Sequence, residues 1–282
     1  MKLDPRLTPA RGDVAAAHLK GQVEADRFDE GVCYQVTDGV CPLRQAPSLS
    51  ARLETQLLYG ESFTVYDIAD GWAWGQCTLD DYVGYAPIAA LSAQVFAPDL
   101  RVVNLRTAIF PTPDLKSQPH QIISRNAKLA YVEFDEASGF VRLARGGWSP
   151  MVHLAPLDLA ATDWVARAEQ MLGAPYLWGG KDSIAVDCSG LIQSALETAG
   201  IAAPRDTDMQ EAALGREIGA DLARLERGDL IFWDGHVGVM RDANILLHAN
   251  GFHMKTVSEP LAETIKRLGA PRTIKRLPIK QI

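Results

Sequence analysis

Cys188 stands in Asp187-Cys188-Ser189-Gly190, just ahead of an apolar stripe of Leu191, Ile192, Ala195 and Leu196. That spacing predicts a helix over 188–199, halted by Gly200. A thiol in the first turn of a helix meets unpaired N–H groups and the positive end of the helix dipole, which favour the thiolate. The expected thiol pKa is therefore below the free value of about 8.5, and such a sulfur is nucleophilic near neutral pH. The position also suits a small hydrophobe that continues the stripe, so the histidines carry the decision. Trp233-Asp234-Gly235-His236 contains the Asp-Gly pair of a two-residue hairpin turn, which makes His236 the first residue of a returning strand. With a second turn at about 241–244, the next strand brings His248 directly across from His236, Cβ atoms roughly 4.5–5.5 Å apart. A slip of one residue would put the two on opposite faces. Facing imidazoles suit a general base and the group that fixes its tautomer. His153 and His253 lack this setting and read as structural. One cysteine and two histidines could alternatively form a three-ligand zinc site, but no carboxylate stands at a metal-motif spacing. Neither a metal nor another cofactor is expected.

Three helices and three strands must position these groups. Leu159, Trp164, Val165, Ala168, Met171 and Leu172 have helical spacing over 158–172, stopped by Gly173 and Pro175. A further helix starts at Thr207, where Thr-x-x-Gln to Gln210 fits a capping box. Strands follow at 229–233, 236–240 and 245–249. Helices first and antiparallel strands afterwards is an α+β arrangement.

Ahead of this region the chain repeats itself. Gly84-Tyr85-Ala86-Pro87-Ile88-Ala89-Ala90-Leu91 matches Gly147-Trp148-Ser149-Pro150-Met151-Val152-His153-Leu154. Gly71-Trp72 and Gly139-Phe140 precede the copies, as do Leu43-Arg44 and Leu105-Arg106 further up. Two copies rich in short alternating strands and tight turns predict two small β-barrels, over 31–95 and 96–157. Residues 1–30 are expected to be a helical lead-in centred on Val14 to Leu19. The tail from Lys266 holds six basic residues and no acid, and reads as a solvated helix end followed by an edge strand.

Composition narrows the function. The 282 residues carry a net charge of −7, with 47% hydrophobic and 22% charged residues. These are the proportions of a globular protein with a sizeable core, and the acidic balance argues against a nucleic-acid partner. No apolar run is long enough to span a membrane, and Met1-Lys2-Leu3-Asp4-Pro5 has no apolar leader character. Four cysteines without a C-x-x-C pair do not make a disulfide scaffold; a cytoplasmic, reduced protein is expected, with Cys33, Cys41 and Cys77 as packing residues.

At its chemical residues the chain resembles the NlpC family of bacterial cell-wall cysteine peptidases, papain-like enzymes with a Cys-His-polar triad. The matching blocks are Gly173-Ala174-Pro175-Tyr176-Leu177-Trp178-Gly179-Gly180, Asp187-Cys188-Ser189-Gly190-Leu191, Pro204-Arg205-Asp206-Thr207, Arg227-Gly228-Asp229-Leu230-Ile231-Phe232, Gly235-His236-Val237-Gly238-Val239 and His248-Ala249. They occur in the family's order within residues 158–282. The β repeats resemble bacterial SH3-like domains, which precede the peptidase in one branch of the family.

The resemblance implies a γ-D-glutamyl-L-diamino acid endopeptidase acting on murein peptides. It implies Cys188 as nucleophile, His236 as general base, His248 as the orienting third member and Tyr176 as an oxyanion donor. Asp187 and Ser189 match substrate-binding residues, although Asp187 also fits a helix cap. Thr207 stands where a serine is common and keeps the hydroxyl. Trp178 is expected on the pocket wall. Glu54 and Tyr82, in the first repeat, are the candidates to recognise a free α-amino group, so that only peptides beginning L-Ala-γ-D-Glu enter. Two other readings stay open: a wall-binding adaptor with a dead peptidase fold, and a papain-like thiol amidase or acyltransferase with another substrate.

Overall fold

Alternation of apolar and polar residues governs most of this backbone, and the computed structural model, which describes residues 3–219 and 221–278, is accordingly rich in strands. The chain divides into two units, Met1–Leu157 and Asp158–Ile282.

In the first unit, seven strands form one sheet in the order Leu53–Leu58, Val40–Arg44, Val83–Pro87, Trp72–Cys77, Ser62–Ala69, Val32–Val36, Leu91–Ser92. Its inward residues, among them Leu43, Leu57, Phe63, Ala73 and Ala86, are fully buried. The repeat shows in the backbone. Val83–Pro87, the 3-10 turn Ile88–Ala90 and Leu91–Ser92 trace the same path as Trp148–Pro150, Met151–His153 and Leu154–Pro156. Pro87 and Pro150 enter the turns at φ/ψ of −59/123° and −62/124°.

Closed barrels, expected for both copies, are not formed among the described residues. The first ladder is open, ending at Leu53–Leu58 and Leu91–Ser92, and the second copy splits into sheets of three, two and three strands. Its strands are two to five residues long. The two copies interlock within the one unit. Lys128 N–H donates to Tyr59 O at 2.8 Å, and Arg145 reaches Gln35 Oε1 at 2.7 Å and Gln94 O at 2.6 Å.

The N-terminal segment is not the expected helix. Val14–Ala16 is a strand paired in parallel with Arg27–Asp29, and only Ala17–Leu19 makes a 3-10 turn. Six residues are too few for a stable helix by themselves. Packing of Val14, Ala16 and Leu19 on Tyr66 and Trp74 decides the conformation instead.

The second unit pairs a six-stranded antiparallel sheet with helices. The strand order is Arg216–Glu217, Thr273–Arg276, Leu230–Trp233, His236–Met240, Ile245–Asn250, Lys255–Pro260. Helices α1 (Trp164–Glu169), α2 (Cys188–Thr198), α3 (Thr207–Ala213) and α4 (Leu261–Leu268) complete it. Helix α2 packs on the His236–Met240 and Ile245–Asn250 strands. Its stripe of Leu191, Ile192, Ala195 and Leu196 is buried, each large side chain contributing about 1.5–3 kcal/mol.

Three local expectations change. Helix α1 begins only at Trp164, because Asp163 Oδ1 accepts from Ala166 N–H and caps it there, while Ala161 N–H is drawn to Thr198 O. No capping box forms at Thr207. Asp206 occupies the cap position, and Gln210 Nε2 instead donates to Ser189 O and Pro204 O. The Thr273–Arg276 strand is not an edge, since it pairs on both sides.

Candidate active site

Asp187 fixes the start of α2. Its Oδ1 accepts from Gly190 N–H at 2.7 Å and its Oδ2 from Gly179 N–H at 2.8 Å. Arg205, 1% exposed, grips the same carboxylate with Nη1 at 3.0 Å and Nη2 at 2.7 Å, and reaches Ser189 Oγ at 2.8 Å. Ser189 Oγ in turn donates to Asp187 Oδ1 at 3.3 Å. A buried guanidinium is tolerable only when paired and hydrogen-bonded in this way. Gly190 is required here, because a Cβ on it would lie 2.1 Å from Gly180 O, where the preceding loop crosses the first helical turn. Both oxygens of Asp187 are thus engaged in holding the protein itself.

This scaffold presents Cys188, 5% exposed, with Sγ 3.8 Å from Thr207 Oγ1 and 4.0 Å from Gly235 O. The Val237 backbone N–H is among the groups that favour the thiolate. Gly235 and Val237 flank His236, so the thiol sits beside the start of the His236–Met240 strand. The Asp-Gly turn forms as expected, with Trp233 and His236 paired and Gly235 at φ +66°.

His236 Nε2 lies 2.8 Å from His248 Nδ1, ring centroids 5.1 Å apart. The register differs from the expected one. Val239 pairs with Leu247 and Met240 with Leu246, which puts His248 across from Gly238 and diagonal to His236. The displacement is even, so both rings keep one face. Beyond His248, Nε2 meets Glu259 Oε1 at 2.8 Å and Asn250 Nδ2 at 2.9 Å. Glu259 also accepts from Thr264 Oγ1 at 3.1 Å and from both terminal nitrogens of Arg267, one at 3.0 Å.

Burial, reinforced by His248 and Arg267, lowers His236 to about 3 against the opposing pull of Glu259. Burial likewise lowers His248, although the Glu259 hydrogen bond works the other way. Burial would raise Glu259, but hydrogen bonds from Arg267, His248 and Thr264 hold it at about 2. The Cys188 thiol goes up. Burial and the Asp187 charge outweigh the Val237 N–H, Thr207 and Arg205, which corrects the expectation of a lowered thiol. At neutral pH the resting pair is a thiol and a neutral imidazole, suited to proton removal as the sulfur attacks.

Burial, with the charges of Cys188 and Asp187, also raises Tyr176 despite Arg205, so its phenol stays a proton donor. Trp178 is 57% exposed, next to exposed Leu177. Glu54 and Tyr82 belong to the first unit. They line one pocket of about 310 Å³ together with Arg6, Arg11, Trp74 and Tyr85. There Arg52 holds Glu54 at 2.7 Å, and Tyr82 is buried in the sheet's core.

Arg205, Asn250, Glu259 and Arg267 had no expected role, and Gln210 was expected only to close a capping box. Asn250, two residues after His248 on one strand, had a readable signal in the period of two. Glu259 had none. It reaches His248 diagonally, because His248 pairs with Val257, and that register is invisible in sequence.

Comparison with known proteins agrees with this layout. Residues 173–267 match the NlpC/P60 family, and residues 43–91 match the bacterial dipeptidyl-peptidase Sh3 domain. The chain is 36% identical over 226 residues to dipeptidyl-peptidase 6 of Lysinibacillus sphaericus, covering 72% of this chain and 82% of that protein. It is 29% identical over 204 residues to a gamma-D-glutamyl-L-lysine dipeptidyl-peptidase of Bacillus cereus, covering 64% of this chain and 60% of that one. In fold it is similar to a solved NlpC/P60 family protein from Bacillus cereus, with a TM-score of 0.74 at 20% identity over 87% of this chain and 100% of that one.

Proposed function

Because the chain belongs to the NlpC/P60 family, we propose that it is a cysteine endopeptidase hydrolysing the γ-D-glutamyl–diamino acid bond of murein-derived peptides. The observation that carries this reading is the thiol at the start of α2, in contact with Gly235 O just ahead of His236, while His236 Nε2 lies 2.8 Å from His248 Nδ1. In the reaction His236 Nδ1 takes the thiol proton as Sγ attacks the γ-carbonyl carbon. The tetrahedral oxyanion is met by the Cys188 N–H, which has no acceptor within the helix, and by the Tyr176 hydroxyl. His236 returns the proton to the leaving amine, and water then hydrolyses the thioester by the same route in reverse.

The substrate reading draws on the printed name of the Bacillus cereus relative, a gamma-D-glutamyl-L-lysine dipeptidyl-peptidase. Glu54 and Tyr82, which share a pocket of the first unit, are assigned to a free L-Ala amino group on the family resemblance. Thr207 and Trp178 border the bound peptide, and Asp187 and Ser189 contribute by fixing its floor. The second β copy is assigned as another SH3-like module because its strand–turn–strand path repeats the first. Four free cysteines suit a reducing cytoplasm, where the enzyme would trim imported peptides.

Incubating reduced protein with L-Ala-γ-D-Glu-meso-diaminopimelate, and with its L-lysine counterpart, tests the activity. Release of the diamino acid is expected, and blocking the peptide's amino end should prevent it. Intact peptide after hours, with Cys188 still open to alkylation, would leave an adaptor. Cleavage of blocked and free peptides alike would remove Glu54 and Tyr82 from recognition.

A further inference from the structure

Two side chains contend for one nitrogen. His248 Nε2 has Glu259 Oε1 at 2.8 Å and Asn250 Nδ2 at 2.9 Å. A carboxylate can only accept, and an amide nitrogen can only donate. The orientation of Asn250 is fixed independently, since its Oδ1 accepts from the His253 backbone N–H at 2.8 Å. The two neighbours therefore select opposite tautomers of His248.

Each tautomer sets the direction of the whole chain. With the proton on Nε2, His248 donates to Glu259, its Nδ1 accepts from His236 Nε2–H, and His236 Nδ1 is left unprotonated for the thiol. With the proton on Nδ1, His248 accepts from Asn250 and donates to His236 Nε2. The His236 proton then sits on Nδ1, where a base is needed. Only the first arrangement can take a proton from sulfur.

We propose that Glu259 is the positioning residue that holds the relay in its active direction, against a competing pull from Asn250. A charged acceptor makes a hydrogen bond roughly twice as strong as a neutral one. Arg267 and Thr264 fix the carboxylate in place, so its reach to Nε2 does not depend on a mobile side chain. His253 also faces this carboxylate, with its Nε2 4.0 Å from Oε2. The assignment rests on Cys188 and His236 acting as proposed above, but not on the identity of the peptide.

The test uses full-length protein labelled with 15N-histidine at pH 7.5. Long-range 1H–15N spectra should show His248 as the Nε2–H tautomer in the native enzyme and as Nδ1–H in Glu259→Ala. An Nδ1–H tautomer in the native enzyme overturns the proposal without any variant being made. In Glu259→Ala, kcat should fall on the order of 100-fold with KM nearly unchanged, and the rate of Cys188 alkylation by iodoacetamide should fall as well. Adding Asn250→Ala should restore about tenfold of the lost kcat, because the opposing donor is gone. An Nε2–H tautomer that persists in Glu259→Ala overturns the proposal, and so does a double variant no better than the single one. Tautomer and alkylation effects without cleavage of any murein peptide would reject the substrate and leave the role of Glu259 standing.

Discussion

An arginine–carboxylate pair stands behind each half of the candidate site, and the two pairs do different work. Asp187–Arg205, behind the thiol, is buried, and its oxygens are spent on backbone N–H groups of Gly190 in the first turn of α2 and of Gly179 in the loop before it. Glu259–Arg267, behind the imidazoles, is partly open to solvent, and its carboxylate faces a ring nitrogen. The first pair holds a backbone and thereby a position. The second holds a proton and thereby a direction. Breaking the first should cost stability, and breaking the second should cost proton order.

The largest effect lies between the two halves. Cys188→Ala should abolish turnover while the protein stays folded, which circular dichroism beside a peptide-release assay will register; full activity in that variant would end the comparison. Next comes the enclosed pair. Arg205→Met leaves Asp187 buried without its partner and should cost about 3–5 kcal/mol in denaturant unfolding. A loss below about 1 kcal/mol would put the two pairs in one class.

Acid should weaken the imidazole half first. His236 is held at about 3 in the fold against an ordinary 6.5. Between those values the unfolded chain binds more protons than the folded one, so stability is complete above about pH 6.5 and falls as pH drops toward 3. His248 has the same sign. Glu259 adds to it between its ordinary 4.5 and about 2. Chemical unfolding at several pH values checks this, and a flat profile from pH 7 to 4 contradicts it.

The thiol half should respond at the other end of the scale. Since burial raises Cys188, its alkylation rate should still be climbing at pH 9; a plateau below pH 7 would signify a thiolate–imidazolium pair. The smallest effect belongs to Arg267→Met. Stability should change by less than about 1 kcal/mol, because this pair is partly solvated, while kcat drops a few-fold.

Much of this was legible from local pattern. The helix after Cys188, the Asp-Gly turn before His236 and the shared face of the two histidines follow from the spacing of residues near one another in the chain. The same holds for the duplicated strand–turn–strand at Pro87 and Pro150, whose backbone angles nearly coincide. Local pattern also misled. The apolar spacing at 158–163 and at Val14 to Leu19 looked helical, but a cap at Asp163 and packing on Trp74 decided otherwise. Thr207 and Gln210 resembled a capping box because the residue types were right. Both side chains are used across the fold instead, one beside the sulfur and the other on Ser189 O.

What the order of residues determined by itself is where the reactive groups lie and which way they face, because helix and strand periods depend on near neighbours alone. Tertiary packing alone decided how those groups hold their protons. Burial raised the thiol against its helix dipole, and a strand register joined Glu259 to His248. Desolvation and cross-strand pairing belong to the assembled interior, which no single stretch of chain contains.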